Sequence, residues 1–171
     1  MKILVVSDSH GLESELFQFI EQQKQSVTAL IHCGDSELPA KQLLELGVYA
    51  VRGNCDDDER FPEEIVHDFR PFRAFITHGH RYNVKMSYVP LSYRADEIGA
   101  NLVCFGHSHI AVAFQEQETI YINPGSIRQA RGRREKTYCI VELREENLIQ
   151  ISFYEFGTNR EVKELSQQFQ I

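Results

Sequence analysis

Five times in this chain a short apolar run ends in residues able to hold a metal ion, and that repeat constrains the fold more than any other feature. Ile3-Leu4-Val5-Val6 leads into Asp8-Ser9-His10, Ala29-Leu30-Ile31 into Gly34-Asp35, and Tyr49-Ala50-Val51 into Gly53-Asn54. Phe72 to Ile76 leads into His78-Gly79-His80, and Leu102 to Phe105 into Gly106-His107-Ser108-His109. Short apolar runs in an α/β chain read as buried strands. In open α/β sheets, ligands bind beyond the carboxyl ends of the strands. The sequence therefore delivers Asp, Asn and His repeatedly to one sheet edge, including five of the seven histidines. Imidazole, carboxylate and carboxamide oxygen suit borderline divalent metals, so a metal site holding two ions is the leading expectation.

The remaining elements follow from periodicity. Leu12, Leu16, Phe19 and Ile20 recur at helical spacing and predict a helix over 12–24. A second helix is expected over 38–46, stopped by Gly47, and a third near 88–98, with Pro90 blurring its start. The strand–helix order over 2–52 implies right-handed parallel crossovers. Residues 112–116 and 119–123 read as a hairpin around Gln117-Glu118, and 138–144 with 147–156 as another around Glu145-Glu146-Asn147. Residues 160–169 are expected to form a short surface helix. With α/β units first and antiparallel strands later, two sheets with helices outside accommodate the chain. No linker or repeat interrupts its 171 residues, so a single domain over 1–171 is expected.

Asp8 and His10 are one residue apart, and on an extended segment residues i and i+2 point the same way. His107 and His109 share that spacing. Asp35 can bridge two cations, Asn54 offers a neutral carbonyl oxygen, and His78 completes a set of seven. Two divalent ions activate a water and clamp an in-line displacement at phosphorus. Two aspartates against two divalent ions leave a net charge of +2, which attracts a phosphate ester.

Asp8-Ser9-His10, Gly34-Asp35, Gly53-Asn54-Cys55-Asp56, Thr77-His78-Gly79-His80, Gly106-His107-Ser108-His109 and Asn123-Pro124-Gly125-Ser126 together resemble the calcineurin-like metallophosphoesterases over about the whole chain. The nearest likeness is to the small bacterial and archaeal phosphodiesterases that are kin to the retromer subunit Vps29. The resemblance implies a four-layer α/β/β/α sandwich of two mixed sheets. It implies that Asp8, His10, Asp35 and His109 hold one metal, and that Asp35, Asn54, His78 and His107 hold the other. A hydroxide bridging the two would attack the phosphate ester. Manganese is the metal expected first, with Fe, Co, Ni or Zn permitted by the ligand types. Many members carry a histidine after the Gly-Asn pair; here Cys55 stands there, so esters whose leaving groups depart unprotonated, such as aryl phosphodiesters, are expected substrates.

Other residues carry weaker signals. His80 is expected to face the pocket or support a ligand, with Arg52 and Arg128 as further substrate contacts. His32 reads as core and His67 as surface. Asp56 reads either as an organiser of its loop or as a turn residue. Asn123-Pro124-Gly125-Ser126 reads as a strand exit or as the rim of the site. The segment Arg128 to Lys136 reads first as a solvated loop and second as an anion-steering rim. A formal charge of −7 argues against broad nucleic-acid binding, although bound metal would reverse the sign locally. No signal peptide or bilayer-spanning run is seen, and the cysteines show no CxxC spacing, so a cytoplasmic location is expected. A small phosphate-ester substrate is the expected partner, with a homodimer or larger assembly left open. The competing readings are a scaffold of the Vps29 kind, a phosphomonoesterase and a nuclease, the last disfavoured by charge.

Overall fold

The structure, a computed structural model, describes residues 1–144 and 148–170. Strict alternation on three strands decides its layering. In β1 (Lys2–Val6), Ile3 and Val5 face one way while Leu4 and Val6 face the other, and every one of them is buried. Both faces must therefore be covered. Ile3 and Val5, with Ala29 and Ile31 of β2 (Ala29–His32), pack against Ala74 and Ile76 of a second sheet. Leu4, Val6 and Leu30 pack against Leu16, Phe19 and Ile20 of α1 (Glu13–Gln23) and Leu43 of α2 (Ala40–Glu45).

The first sheet has the order β11-β10-β9-β1-β2-β3, completed by β3 (Tyr49–Ala50), β9 (Thr137–Leu143), β10 (Leu148–Glu155) and β11 (Gln167–Gln170). Strands β1, β2 and β3 run parallel, with Ile3 opposite Ala29 and Ile31 opposite Tyr49, as right-handed crossovers require. The second sheet has the order β4-β5-β6-β8-β7, from β4 (Glu64–Phe69), β5 (Phe72–Thr77), β6 (Leu102–Cys104), β7 (Val112–Glu116) and β8 (Thr119–Asn123). Its inner face presents Phe72, Leu102, Cys104, Ile120 and Ile122 to the first sheet. Its outer face presents Phe75, Val103 and Tyr121 to Leu91 and Ala95 of α3 (Val89–Glu97). Three apolar cores thus separate four layers, the expected α/β/β/α sandwich of two mixed sheets.

The three expected helices and both hairpins are present, within a residue or two at their ends. Pro90 sits in the first turn of α3, where its missing N–H costs no hydrogen bond. The Glu145-Glu146-Asn147 turn lies outside the described residues. The helix expected over 160–169 is a correction: Glu161 bridges to Tyr154, and Gln167–Gln170 form β11 against β10. A short polar helix is marginal, whereas an open strand edge supplies ready backbone partners; Val162, Leu165 and Phe169 anchor the segment on the inter-sheet core. Among the described residues no helix is long and apolar enough to cross a membrane.

Leu91 is fully buried beneath α3, so Leu91→Ala should cost about 2–5 kcal/mol of unfolding free energy, read by denaturant titration, without changing the metal-binding stoichiometry. A loss below about 1 kcal/mol would mean that α3 does not seal the outer face of its sheet.

Candidate metal centre

All seven expected ligands converge at the seam where the carboxyl ends of both sheets meet. Asp8 and His10 follow β1, Asp35 follows β2, Asn54 follows β3, His78 follows β5, and His107 and His109 follow β6. The ligand atoms of Asp8, His10, Asp35 and His109 lie within 4.8 Å of one another, and so do those of Asp35, His78 and His107. Asp35 belongs to both groups. Asn54 joins the second, its Oδ1 lying 3.2 Å from His78 Nε2.

The backbone achieves this differently from the extended i, i+2 geometry expected from spacing. Asp8, His10, Asp35, His107 and His109 all take left-handed conformations, with φ between 42° and 65°. Such residues cost on the order of 1 kcal/mol each and persist only where surroundings dictate them. Here backbone bonds between loops dictate them: Asp8 N–H donates to the Gly34 carbonyl (3.0 Å), His10 N–H to Asp35 (3.0 Å) and Gly106 N–H to His78 (3.0 Å). Two glycines are required by crowding. A Cβ on Gly53 would lie 2.0 Å from Asp35 Oδ1, and one on Gly106 would lie 2.0 Å from Ser7 Oγ.

The hydrogen-bond pattern states what the centre lacks. His10 Nδ1 donates to Glu37 Oε1 (2.6 Å), His78 Nδ1 to the Cys33 carbonyl (2.7 Å) and His109 Nδ1 to the Gln129 carbonyl (2.8 Å). Carbonyls and carboxylates only accept, so each Nδ1 carries a proton, and a ring in its neutral form turns an Nε2 lone pair inward. Those lone pairs face other lone pairs. His109 Nε2 lies 3.0 Å from Asp8 Oδ1 and 3.3 Å from His10 Nε2, and His78 Nε2 lies 3.2 Å from Asp35 Oδ2. Each aspartate has its other oxygen held by the protein. Asp8 Oδ2 accepts from Ser7 Oγ (2.5 Å) and His107 N–H (3.2 Å), and Asp35 Oδ1 accepts from Cys55 N–H (2.8 Å). Asp8 Oδ1 is buried without any donor among the described residues. Only a cation, or a proton standing in for one, satisfies such a cluster. His78 and Asp35 favour the proton solution. Burial opposes charge on both His78 and Asp35, yet their mutual attraction wins, raising the imidazole above its ordinary value and holding the carboxyl well below the carboxylate range. A metal would displace that proton.

The calcineurin-like phosphoesterase superfamily domain matches residues 1–146. The chain belongs to this superfamily. It is 39% identical over 165 residues to the probable metallophosphoesterase YsnB of Bacillus subtilis, covering 96% of each chain. It is 28% identical over 170 residues to the phosphodiesterase YfcE of Escherichia coli, covering 83% of this chain and 88% of that one. A crystal structure of a predicted phosphoesterase from Streptococcus pneumoniae superposes with a TM-score of 0.92 at 32% identity, covering 98% and 96% of the two chains. Vps29 from Entamoeba histolytica shares the fold, with a TM-score of 0.77 at 17% identity over 100% and 99% of the chains.

Around the Asp–His cluster the weaker expectations separate. His80 lies beside it, with ring centroids 5.4 Å from His78 and 6.0 Å from His107, and its Nδ1 is buried without a partner. Arg52 is occupied, its Nε donating to the Asp56 carbonyl at 3.2 Å and its Nη1 lying 3.8 Å from Glu63. Arg128 is exposed at the start of its loop. Cys55 is exposed; desolvation and the Asp35 carboxylate push its thiol up to about 11, so it stays neutral at pH 7. His67 is half-buried between Tyr49 and Phe69 rather than free on the surface.

Several organising groups carried little or no signal in the sequence. Asp56 turns out to be an organiser: it accepts from Asp35 N–H (2.8 Å), Gly53 N–H (2.8 Å), Ser36 Oγ (2.9 Å) and Glu37 N–H (2.7 Å), tying two ligand loops together. Asn123-Pro124-Gly125-Ser126 braces the site from behind instead of forming its rim. Asn123 Nδ2 donates to the Gly106 carbonyl (2.8 Å), and Ser126 Oγ donates to the Asp8 carbonyl (2.7 Å). Glu37 and the carbonyls of Cys33 and Gln129 were not singled out at all; a backbone acceptor leaves no trace in residue type. His32 is core, as expected, but also a clamp. Gly34 N–H donates to its Nδ1 (3.2 Å), so its Nε2–H donates to Ser9 Oγ (3.0 Å).

Gly53→Ala should weaken manganese binding about 10–100-fold in calorimetry, the scale of a lost ligand-orienting contact. Gly47→Ala, where φ is also positive but the space is open, should lower stability and leave metal affinity unchanged; equal losses in both would refute the crowding argument.

His32 supplies a pH prediction. Burial, partly opposed by Asp56 and Asp8, lowers its pKa to about 4. Between pH 6.5 and 4 the unfolded chain therefore binds a proton that the folded one refuses, and stability falls as pH falls through that window, by on the order of 3 kcal/mol in total. Denaturant titrations should show this slope, flattened in His32→Asn, which keeps an acceptor for Gly34; an unchanged slope in the variant would remove His32 as its source.

Proposed function

We propose that this phosphoesterase is a two-metal phosphodiesterase built as a single domain over residues 1–171. The observation that carries the reading is the set of three imidazoles with Nδ1 already engaged and Nε2 turned onto two aspartates whose remaining oxygens are braced. Asp8, His10, Asp35 and His109 would hold one divalent cation, and Asp35, Asn54, His78 and His107 the second, with Asp35 common to both. Such ions supply an activated water and a concentrated positive charge for an anionic ester. The chain contributes the rest. Glu37 and the carbonyls of Cys33 and Gln129 hold three imidazoles in one tautomer, Asp56 and Ser126 fix the loops, and the neutral Cys55 thiol adds no opposing charge beside Asp35. No imidazole after the Gly-Asn pair stands ready to protonate a leaving group, which favours aryl over alkyl diesters. Manganese is the first metal to test, and the cytoplasm the expected location.

A scaffold of the Vps29 kind needs the fold but not this arrangement. Five left-handed ligands and a buried carboxylate oxygen without a donor lower stability, and a chain without catalytic use for them gains nothing by keeping them.

The test is hydrolysis of bis(4-nitrophenyl) phosphate and 4-nitrophenyl phosphate by chelator-stripped protein with and without manganese. Manganese should restore diester cleavage in preference to monoester cleavage, and Asp35→Asn should reduce it by orders of magnitude with the fold intact by circular dichroism. Silence with manganese, iron, cobalt, nickel and zinc would favour the scaffold, and preferred monoester cleavage would reassign the substrate.

A further inference from the structure

Eleven of the eighteen lysines and arginines have a carboxylate within ion-pair distance among the described residues. Four of the remaining seven, Arg128, Arg131, Arg134 and Lys136, lie on one nine-residue loop, and all four are exposed. In a chain with 25 acidic residues against 18 basic ones, that segregation is unlike the rest of the surface.

The loop is also held in place. Arg133 is its staple, half-buried and bonded to Glu135 (3.2 Å) and Glu164 (2.8 Å), while its neighbours on either side project outward. The loop's root is stitched to the metal centre through backbone groups. Ser126 Oγ accepts from the N–H groups of Arg128 (3.1 Å) and Gln129 (2.8 Å) while donating to the Asp8 carbonyl. The Gln129 carbonyl accepts from His109 Nδ1–H (2.8 Å), and Arg131 N–H donates to the His109 carbonyl (3.0 Å). Residues 128 to 131 therefore sit one hydrogen bond from Asp8 and His109, and Arg128 and Arg131 at the ends of that stretch are exposed.

We propose that this loop is a second anion subsite, taking an additional phosphate of a diester substrate that carries more than one. The assignment rests on the phosphodiesterase reading for the first phosphate. The charge balance motivates it. A metal pair would neutralise one phosphodiester, and a further phosphate on a net-negative chain is favoured where several cations stand close together without carboxylate partners, as these four do among the described residues. Arginine is the side chain whose planar fork matches phosphate oxygens in pairs, and three of the four free cations are arginines. The chemistry is shared by a nucleotide-sized bisphosphate and by an oligonucleotide, and the experiment separates them.

Calorimetric binding to the manganese-loaded full chain should give thymidine 3′,5′-bisphosphate an affinity about tenfold above that of thymidine 5′-monophosphate, the scale of two or three exposed ion pairs. In the triple variant Arg131→Gln, Arg134→Gln, Lys136→Gln that ratio should fall to about one. The variant Arg131→Lys, Arg134→Lys, with charge retained, should keep most of it. Equal affinities in the parent protein, or a ratio that survives the triple substitution, would overturn the subsite. An octathymidylate that binds no tighter than the bisphosphate identifies a small substrate, and one that gains further affinity lost in the triple variant identifies an oligonucleotide. The ratio is read from binding alone, so a protein that shows it yet hydrolyses no ester would overturn the phosphodiesterase reading and leave the anion subsite standing.

Discussion

At the seam between the two sheets, imidazole nitrogens are turned toward carboxylate oxygens, one of which, Asp8 Oδ1, no donor among the described residues satisfies. This electrostatic conflict is the constraint on which the local structure depends. Left alone it would push the loops apart or recruit a proton, as the opposed shifts of His78 and Asp35 display. Cations would resolve it, because the groups in conflict are of the types that suit a divalent metal. The left-handed backbone at five of the seven positions belongs to the same bargain: strain stored in the loops and offset by their mutual hydrogen bonds.

The four-layer architecture makes that arrangement sustainable. Parallel strands from one sheet and parallel strands from the other end at a common edge, and each ligand loop leaves a strand buried on both faces. The loops are then cross-braced by polar groups that touch no expected substrate position: Asp56 between the second and third loops, His32 between the first and second, and Asn123 with Ser126 behind the last and first. Each is buried and fully bonded, which is the condition under which buried polar networks rigidify a site.

The fold and the metal-type residues were legible because both rest on periodic or chemical signals in single residues. Alternating apolar positions such as Ile3-Leu4-Val5-Val6 announce a strand covered on both sides, and Leu16, Phe19 and Ile20 announce a helix. The miss at 160–169 arose where those signals are weak: a polar segment takes the structure that its neighbour's unpaired edge offers, and no local pattern encodes that edge. The extended geometry expected for Asp8 and His10 failed for a related reason. Spacing alone does not encode φ, and it was inter-loop hydrogen bonding that drove both residues into the left-handed region.

By itself the sequence determined most element types, the parallel order of the first three strands, which Asp, Asn and His residues gather at one edge, and the family, since these follow from hydrophobic period and from side chains with only one chemistry to offer. Tertiary structure alone decided which nitrogen of each histidine faces inward, which aspartate oxygen is left bare, that Asp35 lies in both groups, and that Arg133 staples the basic loop to Glu135 and Glu164. Those properties are distances between residues up to 118 positions apart, and a distance of that kind is set by packing two sheets face to face rather than by any residue in either strand.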